Sequence, residues 1–246
     1  MEKPARKTFN ADWEREARNW IAWARTPGHD SYWEYSPAFF EIVPAPGQGT
    51  LEIGCGEGRV ARDLARRGHR VCGIDASPTL IEAACEADPD GDYRVADAAD
   101  LPFAAGSFDT AVAYNSLMDI EDLGGAVREA ARVLTDAGRL CICILHPMAD
   151  AGRFQTRAPD APFVIAGSYL ESRQIVEPFA RDGLAITFHG WRHPLQTYAR
   201  ALEDAGFLIE CLREPAQTPE VVAGDVTEGR WRRLPLFLFL RAVKAR

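Results

Sequence analysis

Glu52 stands two residues before three glycines at alternate positions, Gly54, Gly56 and Gly58, and two further acids, Asp75 and Asp97, close the next two strand-like runs. Glycine is required where the backbone takes positive φ or where a ligand must approach the main chain more closely than a Cβ allows. A nucleotide-like ligand is therefore expected at the loop. Its register narrows the choice, because a dinucleotide fingerprint G-x-G-x-x-G beginning at Gly54 needs its third glycine at position 59. Position 59 is Arg. A pyrophosphate ligand, and with it an NAD-dependent oxidoreductase, is disfavoured. A carboxylate at the loop suits a cationic ligand instead.

The spacing of the acids supports the same site. Gly54 and Asp75 lie about twenty residues apart, as expected when a second strand sets its terminal carboxylate against ribose hydroxyls. Such a group accepts from both hydroxyls at once. Asp75 also reads as an N-cap of the following helix, although Ser77 and Pro78 already supply a cap and a first-turn proline. A proton-transfer group is sought among the five histidines. His146 is the first candidate, because it ends a strand on the edge that carries the loops; its other reading is a hydrogen-bonded structural residue before Pro147. His189 and His193 are second choices, and His29 and His69 read as surface residues.

These residues need an alternating scaffold of strands and helices. Residues 50–53, 70–75, 92–96, 110–114 and 139–145 read as strands, with helices over 60–65, 79–87 and 125–134 between them. The near-continuous apolar run of the fifth strand fits a parallel strand covered on both faces. Ahead of this core, Trp13, Trp20 and Trp23 recur at helical spacing over residues 12–25, which reads as core packing rather than a ligand cage. The polar, aromatic stretch around Tyr32 is either a lid or the start of a helix running through Phe39 and Phe40. Residues 148–190 form a long excursion, read as a cover on the substrate side, with a strand over 184–189. A helix over 195–205 and strands over 207–212 and 234–243 complete the chain.

The pattern E-x-G-x-G-x-G at positions 52–58 resembles the first motif of class I S-adenosylmethionine-dependent methyltransferases. Asp100-Leu101-Pro102-Phe103, Ser107-Phe108-Asp109 and Glu129-Ala130-Ala131-Arg132-Val133-Leu134 resemble later motifs of that family in the same order, so the likeness runs over residues 49–147. The resemblance implies a doubly wound α/β fold with a seven-stranded Rossmann-like sheet and an antiparallel last strand. Here that core spans residues 49–246, with an N-terminal helical cap over 1–48 and the cover inserted after the fifth strand. It implies S-adenosylmethionine as cofactor and S-adenosylhomocysteine as product. The cofactor contacts it implies are Glu52, Gly54, Cys55, Gly56, Gly58, Asp75, Ala76 and Asn115, with Asp97 and Ala98 at the adenine and Tyr32 from the cap. In-line methyl transfer needs alignment more than strong catalysts, and His146 is the expected base. A cofactor-retaining, non-methylating enzyme such as a cyclase, or a regulatory binding protein, stays open because fold does not fix chemistry.

Composition narrows the partners. Twenty-eight basic against 36 acidic residues give a net charge of −8, without a basic stripe, which disfavours nucleic acid. The aromatic segments favour a small organic acceptor without distinguishing the atom methylated; oxygen or nitrogen is expected before carbon. No apolar run reaches the length of a membrane span, and Met1-Glu2-Lys3-Pro4 opens no leader-like apolar segment. A cytoplasmic monomer or homodimer is expected. Six cysteines without paired metal spacing read as buried, reduced thiols. Asp119, Glu121 and Asp122 together suggest a metal cluster, but Glu121 and Asp122 read as charges at a helix N-terminus, and no metal is expected.

Overall fold

The computed structural model describes residues 8–245. The opening Met1-Glu2-Lys3-Pro4 lies outside them. Two cap helices, α1 (Thr8–Arg25) and α2 (Tyr32–Phe40), precede the core. The core then alternates β1 (Thr50–Ile53), α3 (Arg59–Arg66), β2 (Val71–Asp75), α4 (Pro78–Ala87), β3 (Asp92–Val95), β4 (Phe108–Tyr114), α5 (Leu123–Val133) and β5 (Leu134–Leu145). A short helix α6 (Pro147–Asp150) opens the cover, which holds β6 (Gly152–Phe154), β7 (Phe163–Ile165), β8 (Arg173–Arg181) and β9 (Leu184–Arg192). The chain closes with α7 (Leu195–Asp204), β10 (Phe207–Arg213), α8 (Pro219–Gly224) and β11 (Phe237–Lys244).

Seven strands form one sheet in the order β10-β11-β5-β4-β1-β2-β3. The pairs from β5 to β3 are parallel, while β11 runs antiparallel to both β5 and β10. The expected architecture is thus present. Period-two alternation divides the central strands between two cores. Ala111, Ala113, Leu140 and Ile142 face one side with α5 and α7, whereas Val112, Tyr114, Cys141 and Cys143 face the other with Phe39 and Leu64. Burial on both faces explains why these strands read as unbroken apolar runs.

Strand order reverses between β1 and β4, and the glycine loop leaves β1 at its carboxyl end beside that reversal, where open α/β sheets form their ligand crevice. Local caps set the helix starts on this edge. Ser77 caps α4 by accepting from the Leu80 N–H at 3.2 Å, and Asp122 caps α5 by accepting from the Gly125 N–H at 2.8 Å.

The cover is more regular than the sequence indicated. Its strand over 184–189 extends to Arg192 and pairs along its whole length with β8. Asp182 and Gly183, both at positive φ, make the hairpin turn. The cap packs onto this hairpin: the Trp13 indole N–H donates to the His189 carbonyl at 3.1 Å. Among the described residues no helix is long and apolar enough to cross a membrane.

All six cysteines are free, and five are buried; Cys85 is exposed on α4, against the expectation that it is shielded. His29 and His69, expected at the surface, are buried at 4% and 7% exposure. His69 Nδ1 lies 2.9 Å from Thr50 Oγ1, and the His29 ring packs edge-on against Trp23.

Candidate functional site

A cavity of about 470 Å³ opens at the carboxyl edge of the sheet, between the strand ends, the cap and the cover hairpin. Gly54, Gly56 and Gly58 all take positive φ, at 71°, 55° and 83°. A Cβ at Gly54 would collide with the Ser116 side chain, whose hydroxyl donates to the Ile53 carbonyl at 2.6 Å. Close approach of β1 to the β4 loop therefore requires glycine here.

Asp75, at the end of β2, turns back toward this loop. Its Oδ2 accepts from the Gly56 N–H and its Oδ1 from the Ser77 N–H, both at 2.9 Å. Because Ser77 is the N-cap of α4, Asp75 is free of that role. Burial raises the Asp75 carboxyl above its ordinary range, while the backbone donors of Ser77, Gly56 and Ala76 work against the rise. Glu52 is 1% exposed, and burial pushes its carboxyl well up, opposed by a hydrogen bond from the Ala61 backbone. Its buried Oε2 has no partner among the described residues.

The other residues expected at the cofactor meet at the same cavity. Cys55 and Ala76 line it, as do Asp97, whose Oδ1 accepts from the Ala99 N–H at 2.8 Å, and the buried Ala98. Asn115 takes φ of 51°, an αL conformation tolerated by asparagine, and its N–H donates to the Cys143 carbonyl at 2.8 Å. Tyr32 is buried, donates to Asp63, and carries the Arg59 guanidinium 4.2 Å from its ring centre. Tyr32 lies within α2, so this stretch is helix and cavity wall together. Arg59 is itself fixed by Asp30 at 2.7 Å.

His146 is not brought to the cavity. It caps α6, its Nδ1 accepts from the Met148 N–H at 3.0 Å, and its Nε2 lies 2.9 Å from Glu214 Oε1. Both ring nitrogens are thereby engaged in structure, and the reading of His146 as the base is replaced by its alternative. His189 and His193 also lie off the cavity wall; His189 Nδ1 faces Asp12 Oδ2 at 3.5 Å, and His193 Nδ1 lies 2.7 Å from Ser172 Oγ.

The tryptophan stripe of α1 is corrected as well. Trp13, Trp20 and Trp23 all line the cavity, and of the three Trp23 is also buried, packed edge-on against Phe179 and Phe188. Trp20 reaches the glycine loop, its Nε1 standing 3.0 Å from where a Gly56 Cβ would lie. Helical periodicity showed the stripe, but not that the facing side is a void. Glu14 holds α1 in place by accepting from Thr79 Oγ1 at 2.6 Å and from Ser77 Oγ.

Two wall residues were not singled out as site acids. Asp119 ends a single 3-10 turn after β4, where burial first, and the nearby Asp150 and Asp75 next, push its carboxyl well above the ordinary range. Asp150, at the end of α6, is pushed up to about 6 by burial, with Arg192 working against the rise. Arg192 Nε lies 3.4 Å from Asp150 Oδ1. The only sequence mark of Asp150 is its place five residues after the fifth strand, and Asp119 is marked only as part of a suggested metal cluster. Asp122 is the N-cap of that helix, and Glu121 lies beside it.

Carboxylates at three strand ends around a main-chain loop suit a ligand with cationic and hydroxyl donors and repel a polyphosphate. Comparison with known proteins agrees. A family model described as a methyltransferase domain matches residues 51–142. The aklanonic acid methyltransferase DauC of Streptomyces sp. (strain C5) is 30% identical over 172 residues, covering 67% of this chain and 76% of that protein. The demethylmenaquinone methyltransferase of Tropheryma whipplei (strain Twist) is 34% identical over 122 residues, 48% of this chain and 50% of that protein. The chain thus spans about half the length of this relative. Among solved structures, an S-adenosylmethionine dependent methyltransferase from Mesorhizobium loti superposes with a TM-score of 0.70 at 24% identity, covering 85% of this chain and 97% of the other.

Proposed function

Since the chain belongs to the class I S-adenosylmethionine-dependent methyltransferases, we propose that it methylates an oxygen or nitrogen of a small organic acceptor held beneath the cover. One observation carries this reading. Glu52, Asp75 and Asp97, from three successive β-segments, line a single cavity around a loop of three positive-φ glycines.

The residues present fit S-adenosylmethionine. The buried, unpartnered Glu52 Oε2 suits an α-ammonium group, directly or through water, and such a group would favour the ionised carboxylate. Asp75 receives ribose hydroxyls with the lone pairs that Gly56 and Ser77 leave unused, four acceptor sites being available on a carboxylate. Asp97 and Ala98 face the adenine; Gly54, Cys55, Gly56 and Gly58 let the main chain approach; Ala76, Asn115 and Tyr32 close the sides. Bound there, the cofactor supplies a methyl group activated by its sulfonium and leaves as S-adenosylhomocysteine. The chain aligns the acceptor and excludes water, with the α1 indoles and the hairpin as roof.

The acidic charge of the chain, −8, supports a small-molecule acceptor over nucleic acid. Incubating the protein with S-adenosylmethionine and a metabolite extract, and searching by mass for acceptors heavier by one methylene with matching S-adenosylhomocysteine, tests the reading. Equal amounts of methylated product and S-adenosylhomocysteine are expected. Acceptor conversion without S-adenosylhomocysteine would instead favour a cyclase-like enzyme that retains its cofactor.

A further inference from the structure

The cavity wall also carries polar groups, from the cap, the β4 turn and the cover, that the cofactor contacts do not use. Asp119 lines the cavity, where burial and the nearby Asp150 and Asp75 act on its carboxyl. Asp150 lines it too, with Arg192 Nε 3.4 Å from its Oδ1 and Arg173 donating to its main-chain carbonyl at 3.4 Å. Two further wall groups bear on the ligand independently of these acids. Among the described residues the buried indole nitrogen of Trp191 has no partner, nor has Nε2 of His29, a residue only 4% exposed. Buried polar atoms in folded proteins nearly always have partners, so these orphans mark where a ligand's polar groups belong. Between them the wall is aromatic, from Trp13, Phe179 and Phe188.

The cavity wall thus offers carboxylate acceptors and an indole N–H donor. A hydroxyl can meet both, whereas an ammonium only donates and a carboxylate only accepts. Resting on the methyltransferase reading above, we propose that the acceptor is an aromatic hydroxyl compound, that Asp150 takes its hydroxyl proton during transfer, and that Asp119 positions the same hydroxyl. A lone pair of the acceptor oxygen forms the O–C bond while the C–S bond breaks with its electrons to sulfur. The O–H proton passes to an Asp150 oxygen, which leaves the methyl ether neutral.

The charged and titratable groups around Asp150 are Arg192 and Glu177 from the hairpin, Arg173 at the start of β8, Asp119 and Tyr198. Burial dominates them, and an Asp150 carboxyl pushed up to about 6 is ionised at neutral pH yet basic enough to accept a proton.

The test uses the full chain saturated with S-adenosylhomocysteine and the chromophoric probes 4-nitrophenol, 4-nitroaniline and 4-nitrobenzoate. Nitrophenol is expected to bind with its band moved toward the phenolate, and nitroaniline and nitrobenzoate at least about tenfold more weakly, the loss expected when a hydrogen-bonded hydroxyl is removed. With S-adenosylmethionine, nitrophenol methylation should rise with pH through an acid limb near 6. Asp150→Asn should lower kcat about a hundredfold, with KM nearly unchanged, and abolish that limb; Asp150→Glu should restore part of both. Absence of nitrophenol binding, equal binding of nitrobenzoate, or an unchanged kcat and limb in a folded Asp150→Asn protein overturns the assignment. Failure to bind S-adenosylhomocysteine overturns instead the reading on which it rests.

Discussion

The Asp75 carboxylate accepts from the Gly56 N–H at 2.9 Å, so the acid that ends β2 braces the loop that follows β1. One side chain therefore shapes the loop and lines the cavity. Asp75→Asn keeps the volume but can offer an acceptor to only one of Gly56 and Ser77. The Gly56 amide should then exchange with solvent about ten times faster, as loss of roughly 1.4 kcal/mol implies, measured by hydrogen exchange. An unchanged rate would separate loop shape from Asp75.

Gly54 takes φ of 71°, and a Cβ there would collide with Ser116. Gly54→Ala is expected to cost more than the roughly 1–2 kcal/mol of a left-handed non-glycine residue, because the clash adds to it. A denaturant midpoint within error of wild type would show that the β1–β4 contact is loose.

Glu14 ties the cap to the core. Burial pushes its carboxyl up, but hydrogen bonds from Ser77 and Thr79 outweigh this and hold it below 4.5. A lowered pKa means that the anchor's contribution is present above 4.5 and lost as pH falls through the folded value. Tryptophan emission from α1 should shift red in acid before the core unfolds, and Glu14→Ala should show the shifted emission at neutral pH as well.

Asp150 has the opposite sign. Its carboxyl is raised from 3.8 to about 6 in the folded protein, so the cost of ionising it begins above 3.8 and is complete above 6. That difference corresponds to at most about 3 kcal/mol. Asp150→Asn should therefore have a Tm that gains on wild type between pH 4 and pH 8. A gain that shrinks over this range would contradict the raised value.

The sheet was legible because its strands are buried on both faces and so stay apolar without a break, as in Leu140 to Ile144. The glycine loop and the strand-end acids that line the cavity were legible because they are local features. The wall formed by the cap and the cover was not. Trp13 and Trp20 share a helix face, and periodicity cannot tell a face on a cavity from a face on a core. β8 is exposed along nearly its whole length, so no apolar period marks it, and its pairing with β9 is a tertiary fact. His29 is buried by Trp23 before it and by Arg181, whose guanidinium donates to its carbonyl at 2.9 Å from 152 residues away. His146 had the right edge of the sheet but spends its ring on Met148 and Glu214.

Calorimetric titration of S-adenosylmethionine into the wild-type chain and into Asp75→Ala tests the central claim most directly. The account predicts one site in the wild type and an affinity at least about tenfold lower in the variant, since a buried charge-assisted acceptor contributes roughly 1.5–3 kcal/mol. No binding to the folded wild type, or equal affinity in both proteins, would contradict it.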